Sequence, residues 1–323
     1  MTGIDESLWR QHAWTNRLQS LLLLLFMGGF LTLLGWLLWG GFGVLLLLFF
    51  GLMTVLFNPS LSPRVIMRLY RASAVTPAQA PALYNIVREL ARRAGLTNLP
   101  TLYYIPSNII NAFTVGNREQ SAIAVSDGLL RMLDSREQIG VLAHEISHVR
   151  SNDMWVMGLA DMFSRMTSLL SLIGQLLFIV NIPLLLFSEV GIDWFAILIL
   201  ILAPHVSALA QLRLSRTREY DADLNATRLT GDPEGLARAL TKIERAQGSW
   251  LEQMFFPGRR LPEPSVLRTH PPMEERVRRL LALRQPVDKE RILIESAVAS
   301  LLESLNQQHR RRNPRWHITG LWH

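Results

Sequence analysis

The sequence predicts a multi-pass α-helical membrane protein, with four transmembrane helices and a mixed α+β domain outside the membrane. Hydrophobic residues make up 49% of the 323-residue chain, and the mean hydropathy of +0.20 is high for a soluble protein. The apolar residues are concentrated in two long regions, whereas the regions between and after them mix helical and strand-like patterns. The chain contains no cysteine, which excludes disulfide bonds and thiolate metal sites.

The first apolar region contains no charged residue in the 46 positions between Arg17 and Arg64. Because one transmembrane helix needs only about 20 apolar residues, this length predicts a hairpin of two helices. Two glycines at 40–41 mark the turn and divide the region into Leu18–Trp39 and Phe42–Phe57. A signal peptide does not fit, because its apolar core would be only about 7–15 residues long and would precede a small-residue cleavage site.

The second apolar region predicts two more spans. There are 23 uncharged residues between Arg165 and Glu189, and 19 between Asp193 and Arg213. Each stretch is long enough for one crossing. The prolines inside these stretches are expected to produce kinks that neighbouring helices accommodate.

The distribution of arginine predicts the orientation of the chain. The two connections opposite the termini carry only Glu189 and Asp193, whereas arginines flank the spans on the side of the termini. The positive-inside rule therefore places both termini and all polar segments in the cytoplasm. These arginines also account for the net charge of +7, so the expected partner is the lipid bilayer and not nucleic acid. The arginines are Arg10, Arg17, Arg64, Arg68, Arg71, Arg150, Arg165, Arg213, Arg216 and Arg218.

The predicted organisation follows from these boundaries. It comprises a cytoplasmic N-terminus (1–17), the transmembrane hairpin (18–57), the first part of the cytoplasmic domain (64–165), the third and fourth spans (166–212), the second part of the domain (213–305) and a basic tail (306–323).

The polar segments predict both helices and strands. Thr76-Pro77-Ala78-Gln79 has the form of a capping box, and the apolar stripe after it stops at Gly95. Short apolar runs bounded by turn residues read as strands at Thr101–Ile105, Ala112–Val115 and Ala122–Val125. Further helices are predicted after Asp232-Pro233, at Met273–Leu283 and at Asp288–Leu305.

An H-E-x-x-H motif lies in the segment Val141–Val149. The segment is predicted to be helical, because Ser135 and Gln138 have capping-box spacing before an apolar stripe. On a helix, His144 and His148 lie one turn apart on the same face, so both imidazoles can reach one metal ion. Glu145 is beside them and is placed to take a proton from an attacking water.

The third ligand of such a site is predicted just after the fourth span. Glu219 and Asp223 are four residues apart and share one face of a helix, so Glu219 could bind the metal while Asp223 accepts the second N–H of a ligand histidine. Alone, this run is also typical of an ordinary juxtamembrane charge cluster. Its place after an H-E-x-x-H motif and two spans favours the metal site.

Four ordered motifs resemble those of the HtpX-type membrane zinc metalloproteases, which are related to the CAAX prenyl protease family. The motifs are Asn111-Ala112-Phe113, V-L-A-H-E-I-S-H, S-R-x-R-E-Y-x-A-D, and Thr269-His270-Pro271-Pro272 with Arg276 beyond. The resemblance reaches from the first hairpin to about Leu283, and the segment from Asp288 onward has no counterpart in it.

The resemblance implies a zincin-like (gluzincin-like) metalloprotease domain with one zinc ion per chain, held by His144, His148 and Glu219. It also implies that Asn111, Ala112 and Phe113 belong to the strand edge along which the substrate lies, and that His270 and Arg276 approach the reacting carbonyl. The expected substrates are misfolded or damaged membrane proteins and unfolded polypeptides. For His270 and Arg276, a surface loop residue and a solvated helix residue are the alternatives.

The function expected from these features is that of a zinc metalloendopeptidase with a cytoplasmic active site, in which Glu145 is the general base. His270 either stabilises the oxyanion or occupies the metal in a resting enzyme. An intramembrane protease is excluded, because Arg136, Glu137, Arg150 and Asp153 closely flank the motif. The alternative function is a catalytically silent membrane scaffold or holdase of the same fold. The sequence predicts neither the oligomeric state nor the cleavage preference.

Overall fold

A computed structural model describes residues 4–56, 63–187, 194–255 and 272–284 of the chain. The helices are α1 (Glu6–Leu56), α2 (Pro63–Leu69), α3 (Pro81–Ala94), α4 (Asp127–Met132), α5 (Ser135–Ser151), α6 (Asp153–Phe187), α7 (Trp194–Thr230), α8 (Pro233–Phe255) and α9 (Met273–Ala282). The strands are β1 (Ser73–Ala74), β2 (Thr101–Ile105), β3 (Ala112–Gly116) and β4 (Ser121–Ser126).

Three helical segments in this part of the chain are long and apolar enough to cross a membrane. They are Glu6–Met53, Asp153–Ile182 and Trp194–Thr230, on α1, α6 and α7. Their shared contacts are apolar, and one cluster contains Leu34, Leu47, Leu170, Leu200 and Ala203.

Helix α1 is interrupted at the turn that the sequence predicts. Trp39 and Gly40 leave the helical region, and Gly40 has a positive φ of 60°, which glycine adopts at little cost. Beyond this point the chain turns back on itself and packs against its first half. Gly43 lies so close to Gly35 that a Cβ atom placed on Gly43 would collide with the Gly35 carbonyl oxygen. The region predicted as a hairpin therefore contains a sharp reversal.

The strands form a mixed sheet in the order β1-β2-β4-β3. Strand β2 pairs with β4 in parallel, and β3 pairs with β4 in antiparallel register with Phe113 opposite Ala124. The predicted strands agree with the observed ones to within a residue at each end. Strand β4 is buried along its whole length, whereas β3 lies at the edge of the sheet.

Helix α5 lies at the centre of the polar domain and is buried on nearly all sides. Leu142 and Ile146 pack into a core that also contains Leu102 and Ile123 of the sheet. On another face, Gly140 lies against α8 so closely that a Cβ atom there would be 2.9 Å from the Leu236 backbone. This enclosure fixes the side chains of the H-E-x-x-H motif relative to the sheet.

Two helix starts differ from the prediction. Helix α5 is capped by Asp134, whose side chain accepts from the backbone of Glu137 in a reciprocal capping box, one residue before the predicted Ser135 and Gln138 pair. Helix α3 begins at Pro81. The predicted capping residues Thr76 and Gln79 bond to each other in a turn that precedes this helix. The N-cap residue of α3 is Ala80, which makes no side-chain cap hydrogen bond, so the predicted capping box precedes the helix without capping it.

Several predicted segments lie outside the described residues. They are the connection Glu189–Asp193, the loop with His270, the helix Asp288–Leu305 and the tail 306–323. The predicted helices after Asp232-Pro233 and at Met273–Leu283 are confirmed as α8 and α9.

Candidate metal centre

The two motif histidines of α5 meet Glu219 of α7. The Nε2 atoms of His144 and His148 are 3.1 Å apart, and they lie 3.5 and 3.9 Å from the nearest carboxylate oxygens of Glu219. The three possible ligand atoms all lie within 4.8 Å of one another. The structure thus brings together the three residues that the sequence indicates as ligands, although they are separated by up to 75 positions and two apolar helices.

His148 is oriented from behind by a carboxylate at the start of α6. Its Nδ1 lies 2.7 Å from Oδ2 of Asp153, and the other oxygen of Asp153 accepts from Nε of Arg218 at 2.6 Å. All three side chains are buried or nearly so. The bond at Nδ1 leaves Nε2 of His148 facing His144 and Glu219.

His144 has an equivalent arrangement on the opposite side of the cluster. Its Nδ1 lies 3.0 Å from Oδ1 of Asp223, at ion-pair distance but without a hydrogen bond between the two atoms. Asp223 in turn accepts two hydrogen bonds of 2.7 Å from Arg276. Each histidine is therefore backed by a buried aspartate, and each aspartate is held by a buried arginine.

Arg276 also reaches the cluster itself. Its Nη1 lies 3.1 Å from Glu219, and its Nη2 lies 3.5 Å from Nε2 of His144. Burial alone would lower the pKa of Arg276, but the carboxylates of Asp223 and Glu219 outweigh burial and raise this pKa, so the guanidinium stays charged. The predicted catalytic arginine is not a solvated surface residue.

Without a metal ion, the carboxylates give His144 an elevated pKa. Burial acts to lower the pKa of this imidazole, but Asp223 and Glu219 outweigh it and raise the pKa to about 10. The imidazole of His144 is therefore protonated at neutral pH in the metal-free site. A metal cation that binds here replaces that proton.

The arrangement fits a metal ion that prefers nitrogen and oxygen ligands. Two imidazole nitrogens and one carboxylate converge, and the Nδ1 atoms of both imidazoles face aspartates, so the Nε2 lone pairs are available to the shared centre. Two Nε2 atoms 3.1 Å apart also require a cation or a proton between them. The donor set therefore fits a metal ion held by two imidazoles and one carboxylate.

Glu145 is separate from the three ligand residues and is held by the sheet. Its Oε2 accepts a 2.7 Å hydrogen bond from Oγ1 of Thr114 on β3. The side chain is buried, at 8% exposure. Thr114 thereby connects the edge strand to the carboxylate that the sequence indicates as the base.

A cavity of about 680 Å³ opens onto the cluster. Its lining includes Asn111, Ala112 and Phe113 together with the three motif residues His144, Glu145 and His148. The ring of Phe113 packs against Tyr70 at 4.8 Å between centroids. All three residues that were predicted to contact substrate are therefore placed beside the cluster.

Reasoning from the sequence did not find Thr114, or the roles of Asp153 and Arg218. The sequence indicates Asp153 and Arg218 only as charged residues that flank the motif and the fourth span. The sequence does contain a signal at Asn152, because asparagine can end a helix in the left-handed conformation. Asn152 does so here, with φ of 55° at the end of α5, and Asp153 follows it. His270 lies outside the described residues.

Comparisons with known proteins agree on a family. The profile of peptidase family M48 matches residues 77–284. A protein described as "Protease HtpX homolog" from Desulfatibacillum aliphaticivorans is 34% identical over 83% of this chain and 90% of its own length. Proteins with the same description from Acaryochloris marina and Pyrococcus furiosus are 38% and 33% identical, over 71% and 80% of this chain and 80% and 93% of their own lengths.

Among solved structures, the crystal structure of S. mikatae Ste24p is similar, with a TM-score of 0.45 and 20% identity. The match covers 86% of this chain and 67% of that one.

Proposed function

The chain belongs to peptidase family M48 and is a membrane metalloprotease, and on that basis we propose that it is a zinc-dependent endopeptidase acting at the cytoplasmic face of the bacterial inner membrane. One observation carries this proposal: three convergent ligand atoms lie within 4.8 Å of one another, beside a separate buried glutamate and an edge strand. Its proposed substrates are unfolded polypeptides and misfolded or damaged membrane proteins.

The proposed cofactor is one zinc ion per chain, held by His144, His148 and Glu219. When bound, zinc supplies Lewis acidity toward water and the scissile carbonyl. Asp153 and Asp223 would keep the two imidazoles in the tautomer that presents Nε2 to the ion. Because the chain has no cysteine, the ligands can only be nitrogen and oxygen donors.

Glu145 would act as the general base and later as the general acid. Its carboxylate would take a proton from the attacking water and deliver it to the leaving amine. The hydrogen bond from Thr114 fixes one oxygen of this carboxylate. The other oxygen is then the one that would handle the proton.

The substrate would bind by extending the sheet at β3. The backbone of Asn111 pairs with Ser126, and that of Asn117 pairs with Gln120, which shows that the odd-numbered residues of β3 are the ones bonded to β4. Ala112 and Thr114 therefore direct their backbone N–H and C=O groups to the opposite side, where no other strand of the described chain pairs with β3. A peptide held there by backbone hydrogen bonds can vary in its side chains, as a quality-control protease requires.

Arg276 is proposed to stabilise the negative charge that develops on the carbonyl oxygen, from its place 3.5 Å from Nε2 of His144. It has a second role in holding Asp223 and Glu219. His270 remains a proposal from sequence alone, either as an oxyanion donor or as a residue that covers the metal at rest. His270→Ala separates these roles: the first predicts a lower kcat, the second a higher basal activity, and unchanged kinetics would contradict both.

The proposed topology has four spans, with both termini and the catalytic domain in the cytoplasm. The reversal at Trp39–Gly40 supports two crossings within α1, and α6 and α7 supply the other two. The arginine asymmetry of the sequence supports the orientation.

A catalytically silent scaffold or holdase is the second candidate function. The complete ligand set and the anchored Glu145 favour an enzyme instead, because a scaffold requires neither. The two are separated by assaying the purified full-length protein on an unfolded protein substrate, with and without a chelator, beside Glu145→Gln. Chelator-sensitive cleavage by the wild type, absent in Glu145→Gln, is expected. Equal and negligible turnover in all samples would favour the scaffold.

A further inference from the structure

A second cavity, of about 610 Å³, lies between the N-terminal part of α1, the middle of α7 and α9. Among the described residues, it shares no lining side chain with the cavity at the metal centre. The proposed proteolytic mechanism therefore makes no use of it. The cavity is lined by polar and positively charged side chains.

The lining of this cavity is strongly basic. Four arginines and one glutamate contribute to it, namely Arg213, Arg216, Arg278, Arg279 and Glu275. Glu275 forms ion pairs with Arg278 and Arg279. Among the described residues, this single carboxylate lies with Arg213, Arg278 and Arg279, so positive charge is in excess and the cavity attracts an anion.

The lining of this cavity also includes a buried side chain that carries a donor. Asn16 lines the cavity and is only 3% exposed, and its Nδ2 has no hydrogen-bond partner within the described parts of the chain. A buried N–H₂ group without an acceptor carries a free-energy penalty that a bound oxygen would remove. Arg279 is fixed nearby, with its guanidinium 3.8 Å from the centre of the Tyr220 ring. The site thus combines positive charge, a buried donor and a restrained arginine.

The position of the cavity along the chain matches the surface of a membrane. Arg213 is the first charged residue after the 19 uncharged positions of the fourth predicted span, and Arg17 is the last before the 46 uncharged positions of the first region. Gln19, just inside the apolar part of α1, lines the cavity together with Arg213. The cavity therefore lies where the first apolar stretch begins and the last one ends, which is where lipid headgroups would be.

We propose that this cavity binds the phosphate group of an anionic phospholipid headgroup. Arginine guanidinium groups and the amide of Asn16 supply the donors that phosphate oxygens accept. Leu18, next to Gln19 in α1, and Leu209, one helical turn before Arg213 in α7, are 44% and 49% exposed, and the acyl chains would lie against such apolar side chains. A soluble phosphate has no acyl chain to place against these apolar side chains, so we favour a lipid.

The bound lipid would connect the membrane to the elements that carry the metal site. Helix α7 contributes Arg213 and Tyr220 to the cavity and Glu219 to the metal centre. Helix α9 likewise contributes Arg279 to the cavity and Arg276 to the metal centre. Occupation of the cavity would therefore hold α1, α7 and α9 together.

The test uses the full-length protein in a non-ionic detergent, titrated with phosphatidylglycerol or phosphatidylcholine and analysed by native mass spectrometry. Wild type is expected to retain phosphatidylglycerol in preference to phosphatidylcholine. Arg213→Gln/Arg279→Gln is expected to weaken that retention by about fivefold for each arginine removed. The matched control is Arg10→Gln/Arg165→Gln, which removes two exposed arginines that do not line the cavity, and it is expected to bind as wild type does.

Three outcomes would overturn the proposal. Equal losses in the two double variants would show a general surface-charge effect without a site. Unchanged retention in the cavity variant would show that the lipid binds elsewhere. Displacement of the lipid by an excess of glycerol phosphate would identify a site for soluble phosphates.

A second variant, Asn16→Ala, keeps every charge and tests the site independently of folding defects in the double variant. Its retention of phosphatidylglycerol is expected to fall several-fold, because the amide donor is lost. Wild-type retention by Asn16→Ala would contradict the proposal.

Discussion

Asp153 lies 2.7 Å from Nδ1 of His148, so the second histidine of the motif is oriented by the first residue of the following helix. The same carboxylate is bound to Arg218 of α7, 65 residues away in sequence. The orientation of this imidazole thus depends on the packing of α5, α6 and α7. A matching pair, Asp223 and Arg276, serves His144.

Asp153→Asn is predicted to weaken zinc binding by about 10- to 100-fold, because the amide no longer fixes the tautomer of His148. Competition with a chelator of known affinity measures this effect. The control is Asp161→Asn on the same helix, whose side chain is 45% exposed and pairs with Arg165. Because Asp153→Asn also leaves Arg218 buried without its partner, thermal unfolding should be recorded in parallel. Wild-type zinc affinity in a folded Asp153→Asn protein would contradict the assigned role.

Thr114→Val is predicted to reduce kcat by about tenfold to a hundredfold, because a hydrogen bond to a charged group contributes about 1.5–3 kcal/mol. The variant removes the 2.7 Å bond to Glu145 but keeps the size of the side chain. Zinc content should not change, since the hydroxyl of Thr114 bonds to Glu145 and not to a proposed ligand. Thr114→Ser restores the hydroxyl and is expected to recover most of the activity. Equal activity of the serine and valine variants would show that this bond does not position the base.

Zinc binding is predicted to release a proton near pH 8. The pKa of His144 is raised from its ordinary value to about 10 in the metal-free protein, so the imidazole is protonated at pH 8 and must lose its proton to bind zinc. Calorimetric titration of chelator-treated protein in two buffers of different ionisation enthalpy measures the number of protons released. Apparent zinc affinity should rise with pH up to about 10 for the same reason. Heats independent of the buffer would contradict this protonation state.

Accessibility labelling tests the proposed topology. Single cysteines can be introduced without background, because the chain has none. Cysteines at either terminus or just after Arg64 are predicted to be protected from a membrane-impermeant reagent in intact cells whose outer membrane has been made permeable. A cysteine between Glu189 and Asp193 should react. A reactive C-terminus would overturn both the orientation and the cytoplasmic site.

The sequence predicted the parts of the site that depend on helical spacing. His144 and His148 had to share a face of any helix that contained them, and so did Glu219 and Asp223. The strands were also predictable, because short apolar runs between turn residues leave few alternatives. The fold-back at Gly40 followed from length alone, since 46 uncharged positions exceed one crossing.

The remaining contacts join segments that no local pattern connects. Thr114 is one of several hydroxyl residues in β-prone segments, and only the packing of α5 beneath β3 places it at Glu145. Arg218 resembles any arginine at the end of a span until α6 brings Asp153 to it. The cap of α5 was misplaced by one residue, because Asp134 and Ser135 are both good capping residues.

The metal content of purified variants tests the central claim most directly. Elemental analysis of the wild-type protein should find about one zinc ion per chain, as expected for a mononuclear site. Glu145→Gln should retain that zinc while losing turnover, because Glu145 is not among the proposed ligands. Both His144→Ala and Glu219→Ala should lose most of the metal. A Glu219→Ala protein with the wild-type zinc content would contradict the proposed site, because the third ligand would then lie elsewhere.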